Sequence, residues 1–342
     1  MPLLLDHGTA TTLRVRDVRK SFILINAEHN PVTSMAAKGE APNNTLIEWP
    51  LRRVPTSSVV TGIMDGQAVA DADYQNFESR KTILQGRLMK IREAIGIGDI
   101  AETVTDQYGM DGSTLFGEAT KMALMQLRSR MEAVTVGVQD SIAQSGTSAS
   151  GQPFVTRGLS LWIGKGNTGD LPIGDTWAQT PTTSVFTTTL ATDGVDKVTE
   201  AVVRTVCRSV YNTTKQKGSW ILFCSLDFQE QFNNFVKTGD VAATTAPLRR
   251  FNGDTSASEM KLDVQTYVGP AGRITLVPHM GLPLKVFGLL MDMQYVKLRM
   301  ARNARFVQLT EDGSGPRGFT DAIFSVCCEN PTAMGKFIQA AA

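Results

Sequence analysis

The sequence predicts an α+β protein that is organised around one long helix. Apolar residues recur at steps of three and four between residues 113 and 142, which is the spacing of one face of an α-helix. Two extended runs precede this segment and are separated by a polar, turn-rich stretch. Short strand-forming runs separated by turns fill the chain after residue 262. The long helix is therefore expected to be flanked by strands on both sides in the sequence.

The first 36 residues show little periodicity and are predicted to form an N-terminal arm. The arm carries four closely spaced basic residues, Arg14, Arg16, Arg19 and Lys20. Such a local basic face is either an ordinary solvated surface or a contact for a polyanion or a neighbouring chain.

Residues 37–90 are predicted to form an extended loop, a long β-hairpin. Apolar and polar side chains alternate from Thr45 to Trp49, and a second extended run covers residues 80–91. The stretch between these runs is rich in small and polar residues and contains the turn signal Asp65-Gly66. A ribbon with so few large apolar residues near its tip cannot bury its own faces. We therefore expect another surface to complete it.

The apolar stripe of the long helix consists of Phe116, Ala119, Ala123, Leu127, Met131, Val134, Val138 and Ile142. Charged residues, among them Glu118 and Glu132, lie off this stripe and are predicted to point elsewhere. A helix over most of residues 113–142 measures roughly 40 Å at 1.5 Å per residue, so it needs an extended partner surface. A loop rich in serine and glycine follows at 144–152.

A compact α/β section follows this loop. Valines four residues apart predict a helix over 196–211, and the continuous apolar run 220–224 predicts a strand buried on both faces. Ser225 is suited to cap the next helix, with Leu226 and Phe228 on or near its apolar side. Six further strands are predicted near the end of the chain, at 264–268, 273–278, 284–291, 295–300, 305–310 and 319–328.

Composition excludes several classes of protein. The 34 basic and 33 acidic residues give a formal net charge of +1, so the chain is neither a strongly basic nor a strongly acidic binding protein. No stretch approaches the ~18 apolar residues of a membrane span, so we expect no membrane association and a cytoplasmic setting. The four cysteines, two of them adjacent and poorly placed to bridge, are predicted to be reduced.

Signals for catalysis are few. Gly164 to Gly169 fits the G-x-G-x-x-G pattern of a dinucleotide loop, but prolines follow where that loop requires a helix. His7, His29 and His279 lie far apart and without cysteines or carboxylates at ligand spacing. We therefore expect no catalytic residue, no metal site and no cofactor, and we predict that His279 is structural.

Four short stretches carry a resemblance to a known family. They are Leu46-Ile47-Glu48-Trp49, Asp65-Gly66, Leu84-Gln85-Gly86 and the run 118–132, which closes with Arg128-Ser129-Arg130-Met131-Glu132. In these stretches and in the order of its parts, the chain resembles the major capsid proteins of tailed bacteriophages with the Hong Kong 97 fold. That fold combines an N-terminal arm, an extended loop, a peripheral domain with a long spine helix and a β-sheet, and an α/β axial domain.

The resemblance implies a division of the chain. The arm would cover residues 1–36 and the extended loop residues 37–90. The peripheral domain would comprise 91–157 and 284–330, and the axial domain 158–283 and 331–342.

The resemblance also implies a function. The chain would be a structural subunit that assembles through hexamers and pentamers into an icosahedral or prolate shell around double-stranded DNA. Extended loops carrying Trp49, Asp65 and Gly66 would overlie neighbouring subunits, and the basic residues of the arm would face the genome or a neighbour. Partners would be other copies, the portal, scaffold or decoration proteins, and DNA held by non-specific contact. Assembly would take place in the bacterial host cytoplasm and the product would be the virion capsid.

Three alternatives remain open on the sequence alone. An encapsulin-like nanocompartment would share the fold but hold cargo instead of DNA. A nucleotide-binding enzyme would use the loop from Gly164 to Gly169. A tail-tube subunit would form stacked rings, but such subunits are mainly sheet and the long predicted helix counts against one.

Overall fold

A computed structural model describes residues 29–52, 64–69, 74, 81–104, 115–147, 150–163, 183–186, 200–237, 265–283, 286–310 and 315–339. Within these residues the chain forms six helices, twelve strands and two 3₁₀ turns. The strands form one four-stranded sheet, one six-stranded sheet and a two-stranded ribbon. Three of the helices are short: α1 (Pro31–Met35), α2 (Asp99–Val104) and α4 (Leu159–Trp162).

The four-stranded sheet supports the long helix. Its strands, in spatial order, are β1 (Ala37–Gly39), β10 (Val296–Leu309), β11 (Arg317–Cys328) and β4 (Met89–Gly96). The first pair is parallel and the other two are antiparallel. The two strands predicted at 295–300 and 305–310 are in fact one strand, β10, which is interrupted by two register shifts instead of by a turn.

The long helix α3 spans Leu115–Val136 and lies across one face of this sheet. Its Phe116 contacts Phe306 of β10 edge to face, with ring centroids 5.7 Å apart. At 22 residues it measures about 33 Å, shorter than predicted because it ends six residues before Ile142.

The early end of α3 is explained by contacts from the segment that follows it. The hydroxyl of Ser160 and the side-chain amide of Gln139 donate hydrogen bonds to the carbonyls of Val136 and Val134, two of the last carbonyls of the helix. Gly158 passes so close that a Cβ there would lie 2.0 Å from the carbonyl oxygen of Gly137. The predicted apolar stripe therefore stops, and Val138 and Ile142 are exposed.

The ribbon pairs β2 (Leu46–Arg52) with β3 (Lys81–Arg87) in antiparallel register, as predicted for the base of the extended loop. The run predicted at 80–91 is divided, because β3 ends at Arg87 and the chain continues as β4 in the four-stranded sheet. Ile47 and Leu84 are buried, so the base of the ribbon is anchored to the body of its own subunit.

The six-stranded sheet has the order β5 (Thr183–Phe186), β12 (Gly335–Gln339), β9 (Val286–Met291), β6 (Gly218–Cys224), β8 (Gly272–Pro278) and β7 (Thr266–Gly269). The predicted strand at 220–224 is its central β6, which pairs in parallel with β8 and antiparallel with β9. The sheet therefore mixes parallel and antiparallel neighbours.

Two amphipathic helices accompany this sheet, α5 (Glu200–Thr214) and α6 (Leu226–Lys237). The hydroxyl of Ser225 accepts a hydrogen bond from the backbone N–H of Phe228 at 3.3 Å, so the predicted N-cap is confirmed. Phe228 is buried as expected, whereas Leu226 is 60% exposed because it occupies the first turn on the outward side.

Strand pairing also bears on the predicted boundary at residue 284. The segment 284–330 begins with β9, which pairs with β6 and β12 of the six-stranded sheet and not with the four-stranded sheet. Apolar side chains from both sheets, including Phe223 and Phe324, share one buried cluster. The division into peripheral and axial domains remains a prediction, but β9 belongs to the six-stranded sheet.

All four cysteines are free and buried, as predicted. Burial raises the pKa of Cys207 and Cys224 to about 12, so both are protonated thiols at neutral pH. None of the helices in the described ranges is long and apolar enough to cross a membrane.

Candidate functional site

Three separate parts of the chain meet at the carboxylate of Glu132, on α3. Its Oε1 accepts a hydrogen bond from the backbone N–H of Val32, and its Oε2 accepts one from that of Thr33, both at 2.8 Å. These N–H groups belong to the first turn of α1, so the carboxylate caps that short helix. Oε1 also lies 2.8 Å from Nε2 of His279, which follows β8.

The hydrogen bonds of His279 fix its tautomer. The backbone N–H of Gly281 donates to Nδ1 at 3.0 Å, so Nδ1 carries the lone pair and Nε2 carries the proton that is donated to Glu132. The backbone N–H of His279 donates to the carbonyl of Cys224 at 2.8 Å. These bonds hold the exit of β8 in place, which is the structural role predicted for His279.

The sequence pattern placed Glu132 off the apolar stripe but did not indicate that it is buried, and its side chain is only 4% exposed. Burial raises the pKa of Glu132, but the hydrogen bonds from His279, Thr33 and Val32 outweigh that effect, and the pKa falls below its ordinary value of 4.5. The carboxylate is thus ionised at neutral pH. The helix pattern missed it because its partners are 100 and 147 residues away in sequence.

His29 extends this junction toward the predicted arm. Its ring stands edge to face with that of His279, with centroids 5.7 Å apart, and its Nε2 lies 3.1 Å from the carbonyl oxygen of Pro278. The Glu132 junction, consisting of Glu132, His279, His29 and the first turn of α1, therefore ties residues 29–36 to α3 and to the six-stranded sheet. In the part of the chain that the structure describes, no three potential metal ligands cluster.

The ribbon is fastened at Trp49. Its indole packs against that of Trp162 with ring centroids 5.5 Å apart, and Gly86 of β3 lies directly beside it. The guanidinium of Arg157 lies over the indole of Trp162, 4.9 Å from the ring centroid, and forms an ion pair with Asp140 at 2.9 Å. Trp49 was predicted to be an inter-subunit residue, and within one subunit its described contacts fasten the base of the ribbon to the body.

The turn at Asp65-Gly66 lies about midway between β2 and β3 in the sequence. Gly66 has a φ of +80°, the left-handed region that favours glycine, and the backbone N–H of Gln67 donates to the carbonyl of Met64 at 3.1 Å. Three large apolar side chains of this region are 66–81% exposed: Met64, Val69 and Tyr74. A surface of this kind is typical of a contact that another molecule covers.

The other predicted site residues cannot be placed. Arg14, Arg16, Arg19 and Lys20 of the arm lie outside the described residues, and so does the glycine loop from Gly164 to Gly169.

The sequence analysis did not identify a charged cluster around Asp321. Asp321 of β11 is 1% exposed, and Arg302, Arg305 and Lys90 lie within 3.1, 3.2 and 3.7 Å of its carboxylate. Burial raises the pKa of Asp321, but the hydrogen bonds and charges of the two arginines outweigh it and lower that pKa.

The two register shifts in β10 create this surface. Regular alternation would place Arg302 on the opposite face from Arg305, because the two residues are three positions apart. The shifts bring Arg302 opposite Ile323 and Arg305 opposite Asp321, so both arginines lie on the face away from α3. The three-residue spacing of Arg299, Arg302 and Arg305 was the available signal, but it cannot be interpreted without knowledge of the bulges.

Several solved structures share this architecture. A chain of the capsid asymmetric unit of cyanophage A-1(L) matches with a TM-score of 0.61 and 12% identity, covering 98% of this chain and 99% of that one. A chain of Mycobacterium phage Bobi matches with a TM-score of 0.57 and 12% identity over 98% and 99%. A chain from the capsid of an empty GTA particle matches with a TM-score of 0.61 and 10% identity over 99% and 100%. These likenesses confirm the predicted fold class.

The sequence comparisons agree with that fold. None of the curated proteins is similar enough to the chain to count as a match. A family model described as SU10 major capsid protein matches residues 6–341, which is nearly the whole chain.

Proposed function

Since the chain belongs to the SU10 major capsid protein family, we propose that it is the shell subunit of a tailed bacteriophage and assembles through hexamers and pentamers. The observation that carries this proposal is the family match over residues 6–341, which includes the long helix, the ribbon and both sheets. A shell-forming structural role follows from that family, whereas the arrangement of copies in the shell is our inference.

The ribbon supports the proposal because it extends beyond the pairing that anchors it. Twenty-eight residues, 53–80, separate β2 from β3, and out and back they can span at most about 50 Å. The apolar side chains of Met64, Val69 and Tyr74 are exposed, and none of them belongs to the core clusters of the described residues. We infer that the ribbon tip, with Asp65 and Gly66, overlies a neighbouring subunit in the assembled shell.

The Glu132 junction has a place in this assembly. Residues 29–36 are fixed to α3 and to the six-stranded sheet, so the arm that precedes them starts from a rigid point. We infer that Arg14, Arg16, Arg19 and Lys20 extend from this point toward the packaged DNA or a neighbour. Reversal of these four charges is expected to lower DNA retention or assembly, and no change in either would contradict this inference.

The family match supports a structural role, and it does not favour the alternatives raised by the sequence. We propose that the shell is icosahedral or prolate, encloses double-stranded DNA, and is assembled in the host cytoplasm with a portal and with scaffold or decoration proteins. An encapsulin-like compartment would differ in enclosing protein cargo.

The test is negative-stain electron microscopy with size-exclusion chromatography on the chain, expressed alone and together with the other head proteins of its phage. Closed shells, or rings of six and five subunits, are expected. Nucleic acid extracted from particles made with the packaging proteins would distinguish a capsid from a compartment. A chain that remains monomeric in both settings, or binds a dinucleotide as a monomer, would overturn the proposal.

A further inference from the structure

Two large apolar side chains are exposed at one edge of the six-stranded sheet. Leu226 follows the end of β6 and is 60% exposed, and Met280 follows the end of β8 and is 90% exposed. Strands β6 and β8 run parallel with Cys224 opposite Pro278, and the backbone N–H of His279 donates to the carbonyl of Cys224. Both apolar residues therefore leave the sheet at the same edge, and we term them the edge patch.

Packing within the described part of the subunit does not cover the edge patch. Met280 has the largest exposed fraction among the large apolar side chains of the described residues. Neither Leu226 nor Met280 belongs to a core cluster of those residues, although the adjacent His279 is almost fully buried. An apolar segment that covered the two side chains would remove their surface from water, which is favourable.

The described chain starts at this same edge. The imidazole of His29 donates a hydrogen bond from Nε2 to the carbonyl of Pro278 at 3.1 Å, since a carbonyl can only accept. Its ring also stands edge to face with that of His279. Met280 is two positions after Pro278, at most about 7 Å along the chain, so the residues before His29 start beside the edge patch.

The segment just before His29 has a composition that suits this patch. It contains four consecutive large apolar residues, Phe22-Ile23-Leu24-Ile25. The run lies four to seven positions before His29, which allows a reach of about 14–25 Å from that anchor. A run of this kind is unfavourable in water, so it favours the apolar surface within its reach.

We propose that residues 22–25 of the N-terminal arm pack against the edge patch of the same chain. The short tether to His29 gives the run a high effective concentration at the patch, which favours the arm of the same chain over that of a second copy. The contact forms within one subunit and therefore goes beyond the proposed shell function.

Charge favours the same course of the arm. Asp227 and Glu230 are exposed in the first turns of α6, close in sequence to Leu226 of the patch. Arg19 and Lys20 lie just before the apolar run, so a docked run brings basic residues toward these acids. The more distal basic residues of the arm continue outward from the edge of the sheet.

Engineered disulfides test the contact directly. The four native cysteines are free and buried, so introduced exposed cysteines are oxidised selectively. Phe22→Cys or Leu24→Cys is combined with Leu226→Cys or Met280→Cys, which gives four pairs. The control pairs use Val268→Cys instead, because Val268 is 75% exposed on β7, the outermost strand of the same sheet. A disulfide is expected from at least one of the four pairs and from no control pair.

Isotope mixing identifies the source of the arm. Chains labelled with ¹⁵N are mixed with unlabelled chains before oxidation, and the linked peptides are analysed by mass spectrometry. Linked peptides of a single isotope composition are expected. Mixed-isotope links would overturn the proposal in favour of the arm of a second copy. Links in the control pairs, or none in all four test pairs, would overturn it outright.

Tryptic cleavage after Lys20 measures the strength of the contact on full-length subunits separated from any shells. Leu226→Ser/Met280→Ser removes the patch at exposed positions, and Leu24→Ser weakens the contact from the arm side without altering a described residue. Each variant is expected to be cleaved about fivefold or more faster than wild type, because cleavage follows the undocked fraction of the arm. The control Val268→Ser should be cleaved at the wild-type rate.

Unchanged cleavage in both test variants, or equal acceleration in Val268→Ser, would overturn the proposal. Neither the disulfides nor the cleavage rates depend on shell formation. The docking of the arm and the shell function can therefore fail independently.

Discussion

His279 donates a hydrogen bond from Nε2 to Oε1 of Glu132 across 2.8 Å, and both side chains are almost fully buried. The same carboxylate accepts the first free N–H groups of α1, so one side chain satisfies donors from two distant segments. Since a buried donor without a partner costs more than a hydrogen bond contributes, the Glu132 junction stabilises the subunit chiefly by leaving no donor unpaired.

Removal of this carboxylate is predicted to destabilise the subunit. Glu132→Ala leaves three donors without their acceptor, and we expect the free energy of unfolding to fall by about 3 kcal/mol or more. Urea unfolding of the purified subunit measures this change, and hydrogen exchange should show the amides of Val32 and Thr33 losing protection. Glu48→Ala is the control, since Glu48 is exposed and accepts a hydrogen bond from the exposed side chain of Gln85, and it should shift stability by less than about 0.5 kcal/mol. Equal losses in the two variants would contradict the prediction.

The junction also predicts a dependence of stability on pH. The pKa of Glu132 is lowered in the folded subunit, so its contribution is fully present above the ordinary value of 4.5 and is lost as the pH falls through the folded pKa. Wild type should therefore lose stability below about pH 4.5 more steeply than Glu132→Gln. Asp321 has a lowered pKa in both proteins, so its contribution cancels in the comparison. Parallel curves of unfolding free energy against pH would contradict the prediction.

Local patterns in the sequence were sufficient to predict the main elements of the fold. Steps of three and four predicted α3, alternation predicted the base of the ribbon, and the continuous apolar run predicted β6. The order of these parts also led to the capsid family that the comparisons confirm. Each of these signals arises from neighbours within a few residues along the chain.

The features that were missed depend on contacts between distant residues. Glu132 had the sequence pattern of a solvated helix residue, and only the approach of His279 and α1 makes it a buried one. Two register shifts in β10 place Arg302 on the face of the sheet away from α3, and no residue preference in β10 predicts these shifts. The end of α3 was misplaced for a related reason, because Ser160 reaches back to its last turn from the other side of a loop.

A change at Trp49 tests the base of the ribbon. Trp49→Glu removes the contact with Trp162 and places a charge in a half-buried site, so we expect a loss of about 2–3 kcal/mol in unfolding free energy. Soluble subunits or capsomers with few or defective shells should result, as counted by electron microscopy. Trp49→Phe retains an aromatic ring and is expected to assemble close to normally. Normal particles of normal thermal stability from Trp49→Glu would show that assembly does not depend on this contact at the base of the ribbon.

The turn at Gly66 allows tip geometry to be separated from subunit folding. A Cβ at this position meets nothing within 4 Å, so any effect of substitution comes from its φ of +80° and not from crowding. Gly66→Val is expected to cost about 1–2 kcal/mol at the turn, whereas Gly66→Asn costs less because asparagine tolerates the left-handed region. Because the turn lies outside both core clusters, this cost is expected to be relieved by local opening of the turn, so the melting temperature of the isolated subunit should change little in either variant. Shell yield should fall for the valine variant and remain near normal for the asparagine variant. Equal yields from the two would mean that assembly does not require this turn.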